Sequence, residues 1–414
     1  MTTKFREINS CLICENKNLL EIIDLGDQFL TGVFPHNYSH KITHGPLKLV
    51  KCMGSDNSCG LVQLKHIYDA SEMYGNNYGY RSGLNKSMVG HLHNKISKIL
   101  KFVNLKKSDL IIDIGSNDST ALQAYPSNFS NLVGIDPAGE KFKDFYPPHI
   151  DLITDFFSST ILKNHFGKKR AKVITSFSMF YDLEDPIQFM RDIFDALDEN
   201  GIWVFEQSYL PAMLKNNSYD TICHEHLEYY ALKQIKWMSD LVGFKIVDIE
   251  FNEVNGGSFS VTVAKKTSLF PIANNLEKIL LDEIALGLDS LIPFNEFRIR
   301  VDRSKKALLE FIRGVHNSGK IIYAIGASTK GNVLLQYCNI TPNDIPMVGE
   351  VNPDKYDKFC PGTYLPIFSE DEVIKNNPDY LLILPWHFRD FFVNNPKFQG
   401  IKLVFPLPAL EIVG

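Results

Sequence analysis

Twice along this chain, short apolar runs that end in a glycine or an acid alternate with stretches at helical spacing. The first series is Leu110-Ile111-Ile112-Asp113-Ile114-Gly115, Leu132-Val133-Gly134-Ile135, Val173-Ile174-Thr175 and Ile202-Trp203-Val204-Phe205. A helical stretch from Leu84 to Val103 precedes it, and another from Pro186 to Leu197 lies between its last two runs. The second series is Ile321 to Gly326, Met347-Val348-Gly349-Glu350, Tyr380 to Leu384 and Leu403-Val404-Phe405, with Val333 to Tyr337 as helix. Runs this short and apolar read as strands buried on both faces, and helical crossovers between them favour parallel pairing. The expected class is α/β with two Rossmann-like sheets, the second smaller. The first series closes differently: Gly243 to Ile249 and Ser258 to Val263 flank Gly256-Gly257, which predicts an antiparallel hairpin on the sheet edge.

A chain of 414 residues exceeds what one core normally organises. The expected division is residues 1–70, 71–265 and 266–414, the last opening with a helical connector in which Leu276, Ile279, Leu280 and Ile284 recur at helical spacing. With 43 Lys+Arg against 48 Asp+Glu the net charge is -5, which argues against a general nucleic-acid binder. No window approaches the ~18 apolar residues of a membrane span, and the polar start Met1-Thr2-Thr3-Lys4-Phe5-Arg6 lacks a signal-peptide core. The expected location is the cytoplasm, with no nucleic acid, membrane or protein partner.

The first 60 residues hold four of the seven cysteines: Cys11, Cys14, Cys52 and Cys59. Their spacing is C-x2-C, 37 residues, then C-x6-C. Two such pairs can close a tetrahedral thiolate shell around a structural zinc ion, supplying folding energy that so small a segment lacks. Four buried cysteines used as small apolar residues are the alternative.

Five further motifs carry chemistry. Asp113-Ile114-Gly115-Ser116-Asn117-Asp118 ends a parallel strand, where glycine lets the backbone approach a ligand. The next strand ends in Gly134-Ile135-Asp136-Pro137, an acid suited to ribose hydroxyls. The turn lacks G-x-G-x-x-G and carries acids, so it disfavours a pyrophosphate and suits a methyl sulfonium cofactor. The loop after Phe205 ends in Cys223-His224-Glu225-His226-Leu227-Glu228-Tyr229-Tyr230, an acid–base inventory that could alternatively bind metal or be structural. Tyr74 to Gly83 is a glycine-marked loop whose Tyr78, Tyr80 and Arg81 can bond a polar ligand or simply pack. In the last segment, Gly326-Ala327-Ser328-Thr329-Lys330-Gly331-Asn332 opens a helix, with hydroxyls and a lysine at its anion-attracting end. Pro385-Trp386-His387-Phe388-Arg389 ends a neighbouring strand and can add aromatic and cationic contacts.

Taken together, the four cysteines, the DIGSND turn, the tyrosine loop, the HEHLEYY loop and the GASTKGN turn resemble, in order, the S-adenosylmethionine-dependent C-methyltransferases that act on nucleotide-linked keto-deoxysugars. The resemblance spans nearly the whole chain. It implies zinc on Cys11, Cys14, Cys52 and Cys59. It implies S-adenosylmethionine over Asp113, Gly115, Ser116, Asn117 and Asp118, with Asp136 and Pro137 at the ribose and Asp155, Phe156 and Ser176 completing the site. A nucleotide sugar of dTDP or GDP type is implied between the two larger domains, near Arg81, Ser328, Thr329, Lys330, Asn332, Glu350, Asn352 and His387. Two departures stand out: Ser119-Thr120 replaces the family's glycine before threonine, and Tyr181 stands where many members have a histidine.

The implied chemistry is C-methylation, expected at C-3 beside a 4-keto group. His226 removes the proton, Glu225 orients its ring, Tyr78, Tyr80 or Tyr229 donates to the enolate oxygen, and His224 and Tyr181 complete the group. Methylation of a sugar hydroxyl, or of a non-sugar keto compound, is the first rival. A non-catalytic zinc interaction protein is the second.

Overall fold

The computed structural model describes residues 5–54, 58–73 and 80–414. Among them, strands β1 (Phe5–Glu7), β2 (Leu19–Phe29), β3 (His44–Cys52), β4 (Val62–Leu64) and β5 (His66–Tyr68) form the N-terminal part. β2, β3 and β4 are antiparallel neighbours, and β1 pairs separately with β5. β3 carries no clear strand signal in the sequence. Its apolar alternation is broken by Lys51, which is nonetheless buried: the ammonium donates to the Gly60 carbonyl at 3.1 Å and lies 5.3 Å from the centre of the Phe294 ring.

The middle sheet contains β6 (Leu110–Ile114), β7 (Leu132–Ile135), β8 (Ile150–Ile153), β9 (Ala171–Phe177) and β10 (Leu197–Ser208). Next in the chain come β11 (Glu228–Tyr229), β12 (Phe244–Asn252) and β13 (Ser258–Lys265). The order across the sheet is β12-β13-β10-β9-β6-β7-β8, and β13 runs antiparallel to both neighbours. This is the class I methyltransferase arrangement. The Gly256-Gly257 hairpin is β12–β13. The helix expected over 84–103 is Lys86–Phe102, capped by the Asn85 side chain, and Pro186–Ala196 starts on Asp185 with proline in its first turn. β8 was not foreseen because it is an edge strand, half solvated, with Asp151 breaking its apolar run. β11 belongs elsewhere: Glu228 and Tyr229 pair with Gln63 and Val62, making it the fourth strand of the N-terminal sheet.

Beyond helices Leu276–Ala285 and Ile292–Asn317 lies a six-stranded sheet of β14 (Ile322–Ile325), β15 (Val348–Glu350), β16 (Ile367–Ser369), β17 (Tyr380–Ile383), β18 (Lys402–Phe405) and β19 (Glu411–Val413). Its order is β16-β15-β14-β17-β18-β19, parallel except for β19. Phe294, Phe297, Val301, Leu308, Ile312 and Val315 form the buried stripe of the long helix at helical spacing. One apolar cluster joins this sheet to Ile22, Leu47 and Leu64 of the N-terminal sheet and to Leu210, Tyr219 and Ile222 of the loop after β10. No described helix is long and apolar enough to cross a membrane.

Candidate active site

The four N-terminal cysteines converge. All four Sγ atoms lie within 4.8 Å of one another, with Cys11 to Cys59 at 3.4 Å and Cys14 to Cys52 at 3.5 Å. A tetrahedral zinc–thiolate shell has sulfur–sulfur edges of about 3.8 Å, so this donor set fits such an ion without a large rearrangement. The Asn16 amide donates to Cys52 Sγ at 3.3 Å and so adds an outer contact.

At the carboxyl ends of β6, β7 and β9 opens a cavity of about 380 Å³. Gly115, at φ +69, turns the chain after β6, and Asn117 and Ser119 also adopt left-handed backbone. The Asp136 carboxylate accepts the Asn117 and Ala138 N–H groups at 2.8 Å, one on each oxygen, which leaves each oxygen a lone pair for a ligand hydroxyl. Burial pushes the Asp113 carboxyl up to about 7, and the Thr175 hydroxyl donates to it. Tyr80, Asp113, Gly115, Ser116, Asn117, Asp136, Pro137 and Phe156 all line the cavity. A glycine turn, a ribose-directed acid and an aromatic rim fit an adenosyl sulfonium cofactor.

Three expected cofactor residues point elsewhere. Asp118 accepts from the Gly83 N–H at 2.8 Å and from the Thr120 hydroxyl, Asp155 accepts from its neighbour Phe156 N–H at 2.7 Å, and Ser176 is fully buried, its hydroxyl accepting the Trp203 indole N–H at 2.9 Å. The Ser176 hydroxyl and both Asp118 oxygens are engaged in local structure, while Asp155 keeps its second oxygen and lies outside the cavity lining. Phe177, Ser178 and Met179 line the cavity in their place, as do His91 and Glu206. Glu206 was visible as an acid closing an apolar strand; His91 lies on a helix face with no local signal.

The histidine loop separates its two imidazoles. His226 donates from Nδ1 to the Thr221 carbonyl at 2.9 Å, and its ring meets Tyr181 edge-on at 4.4 Å. Nδ1 therefore carries the proton and Nε2 the lone pair. Desolvation, and then the nearby charge of Lys330, lower its pKa to about 4. The Thr221 carbonyl, and not Glu225, is the partner that orients this ring. Glu225 instead accepts from the Thr31 hydroxyl at 3.5 Å, and burial pushes its carboxyl up. The Tyr229 hydroxyl is committed to the same Thr221 carbonyl at 3.3 Å. His224 points into the N-terminal part, fully buried and edge-on to Tyr68 at 4.5 Å, with burial holding its pKa at about 3. Tyr78 lies outside the described residues.

Lys330 faces this loop from the C-terminal sheet. Its ammonium donates to the Asn255 carbonyl in the β12–β13 turn at 2.7 Å, and burial lowers its pKa. Burial and the same ammonium depress His387 well below its ordinary value. Beside it the Trp386 indole donates to Asp220 at 2.8 Å. Ser328 caps the helix Thr329–Tyr337 through the Gly331 N–H, and Asn332 donates to the Thr31 carbonyl at 2.8 Å. Glu350 accepts the Val351 and Asn352 N–H groups and the Lys355 ammonium, while Asn352 caps Asp354. Arg81 stacks over Phe145 at 4.2 Å and approaches Asp118 at 3.8 Å.

Three family models match consecutive stretches: a putative zinc binding domain over residues 11–74, a methyltransferase domain over 88–249 and a C-methyltransferase C-terminal domain over 253–408. The C-methyltransferase NovU of Streptomyces niveus is 26% identical over 416 residues, covering 99% of this chain and 97% of its own. Among solved structures, a complex of the Haloferax volcanii Trm112 methyltransferase activator with a methyltransferase aligns at TM-score 0.37 and 12% identity, over 44% of this chain and 94% of the matched one. An S-adenosylmethionine-dependent methyltransferase from Clostridium acetobutylicum aligns at TM-score 0.34 and 14% identity, over 43% and 92%.

Proposed function

We propose a substrate and a mechanism on the premise that the chain is an S-adenosylmethionine-dependent C-methyltransferase. Its acceptor is a nucleotide-linked 4-keto-deoxysugar of dTDP or GDP type, methylated at C-3. The sugar lies between the middle and C-terminal sheets, where the Lys330 charge acts on both His226 and His387, and zinc on the four cysteines holds the N-terminal part. The division into residues 1–70, 71–265 and 266–414 gives each of these tasks a segment.

The observation that carries this reading is the fixed tautomer of His226. When bound, S-adenosylmethionine supplies an electrophilic methyl on a sulfonium centre. The chain must make the nucleophile. A 4-keto group acidifies the hydrogen on C-3, and the lone pair of His226 Nε2 takes that proton while the C–H electrons move into the C3–C4 bond and onto the keto oxygen. The ammonium of Lys330 favours the resulting enolate charge, with Tyr80 on the cavity wall as a further donor. S-adenosylmethionine held at Gly115 and Asp136 would supply the methyl to that carbon, and His226 then returns its proton to solvent.

A screen of nucleotide 4-keto-6-deoxysugars with S-adenosylmethionine, scored by mass gain of one methylene, tests the substrate. The expected product keeps its hydroxyls free, and the substrate exchanges deuterium at C-3 in heavy water without the cofactor. Methylation of a plain hydroxyl with no keto requirement would overturn the reading.

A further inference from the structure

The cofactor cavity has a second polar end that the mechanism above leaves idle. Across from Asp136 and Phe156, its wall is formed by His91, from the helix Lys86–Phe102, and Glu206, at the carboxyl end of β10. Glu206 is 3% exposed. One carboxylate oxygen is hydrogen-bonded to His91 Nε2; the other accepts from Lys95 and from the Asn252 amide, both at 2.9 Å. Lys95 also pairs with Glu250 at 2.8 Å, as does Lys98. With Nε2 engaged by the Glu206 carboxylate, Nδ1 is the ring atom left to meet a ligand. Among the described residues nothing hydrogen-bonds Nδ1.

The position of this end follows from the β12–β13 turn. Val254 lines the cavity beside Glu206, and the next residue, Asn255, offers its carbonyl to Lys330 at 2.7 Å. The adenosine-directed groups lie at one end of the cavity, and the turn that touches the Lys330 cluster lies at the other. A buried carboxylate that gives one oxygen to an imidazole and anchors the other on Lys95 and Asn252 is an arrangement that fixes the ring against a ligand.

We propose that His91 binds the methyl acceptor, its Nδ1 hydrogen-bonding a hydroxyl near the reacting carbon, and that Glu206 is the positioning residue that fixes the His91 ring. The proposal rests on the acceptor being a hydroxylated small molecule, as in the function above, and adds the residue that orients it. It requires no bond to be made or broken at His91.

The test uses the full-length His91→Gln variant, which leaves the Glu206–Lys95 pair intact, with Glu206→Gln as a second variant that keeps an acceptor atom but removes the charge. Binding of S-adenosylhomocysteine is measured by calorimetry, and turnover on whichever ketosugar the wild type accepts. In His91→Gln, affinity for S-adenosylhomocysteine should stay within about threefold of wild type, while KM for the acceptor rises about tenfold, as for one lost hydrogen bond. Deuterium exchange at C-3 of bound acceptor should persist. Glu206→Gln should raise KM in the same direction and by less. A loss of S-adenosylhomocysteine affinity beyond tenfold, with an unchanged melting temperature, would overturn the proposal by assigning the pair to the cofactor's amino-acid tail. Abolished exchange at unchanged KM would overturn it too, by making His91 the base. If the wild type accepts no ketosugar, the sugar reading fails and the calorimetric arm still decides for His91: retained affinity supports an acceptor role, lost affinity removes it.

Discussion

The base role proposed for His226 requires a neutral ring, and its surroundings favour that form. Desolvation and the Lys330 charge lower its pKa to about 4, so the competent form is present above that pH and is lost as pH falls through it. The acid limb of kcat/KM should therefore lie near 4 and not near the ordinary 6.5. Lys330→Met should move the limb upward by removing one of the two causes. An acid limb at 6.5 in the wild type would show that another group is titrating. His226→Ala should cost turnover about 100-fold or more while S-adenosylhomocysteine affinity, read by calorimetry, stays within a few-fold. Equal losses in both would make the histidine structural. Ser176 provides the opposite case: it is polar and close to the cofactor in sequence, yet bonded beneath it. Ser176→Ala leaves the Trp203 N–H without a partner and should cost about 1–3 kcal/mol in denaturant unfolding, with cofactor affinity unchanged.

At the scale of elements, two strands explain how distant segments cooperate. β11 is two residues long and lies between the histidine loop and the next helix, yet it completes the N-terminal sheet through Gln63 and Val62. Cys59 stands three residues before Val62, and the Cys52 N–H donates to the Leu61 carbonyl at 2.8 Å, so the cysteine cluster, β4 and the loop of His226 are linked over a few residues. Stripping with a chelator the zinc that the four cysteines would hold, or replacing Cys14 with Ser, should therefore reduce turnover although this cluster lies outside the cofactor cavity lining. Hydrogen exchange should show β3, β4 and β11 losing protection together while β6 and β7 keep theirs. Turnover and protection that survive complete metal removal would break this link. The β12–β13 hairpin does the corresponding job on the other side. Gly257, at φ +119 and with Ala212 Cβ only 2.5 Å from where its own Cβ would stand, admits no side chain, and the turn it closes carries Asn255 to Lys330. The hairpin was legible because its glycines and flanking apolar runs are local signals. β11 was not, because two residues carry no periodicity.

In the whole molecule, Thr31 takes Glu225 on its hydroxyl and Asn332 on its carbonyl, while Asp220 takes Trp386, so all three parts of the chain meet around the histidine loop. Local signals in the sequence sufficed for the α/β class, both parallel sheets and the cysteine quartet, and they marked Gly115 and Asp136, which line one cavity. Each rests on a local or periodic signal: apolar runs of strand length, a C-x2-C pair, a glycine and an acid at strand ends. Tertiary structure alone decided which polar residues face a ligand. Ser176 and Asp118 are consumed by Trp203 and Gly83, Thr221 takes the orienting role expected of Glu225, and His91 meets Glu206 across 115 positions of chain. The reason is physical. A strand or helix follows from its own few residues, but a hydrogen-bonding group acts on substrate only if no neighbour has already satisfied it, and those neighbours are brought up by folding.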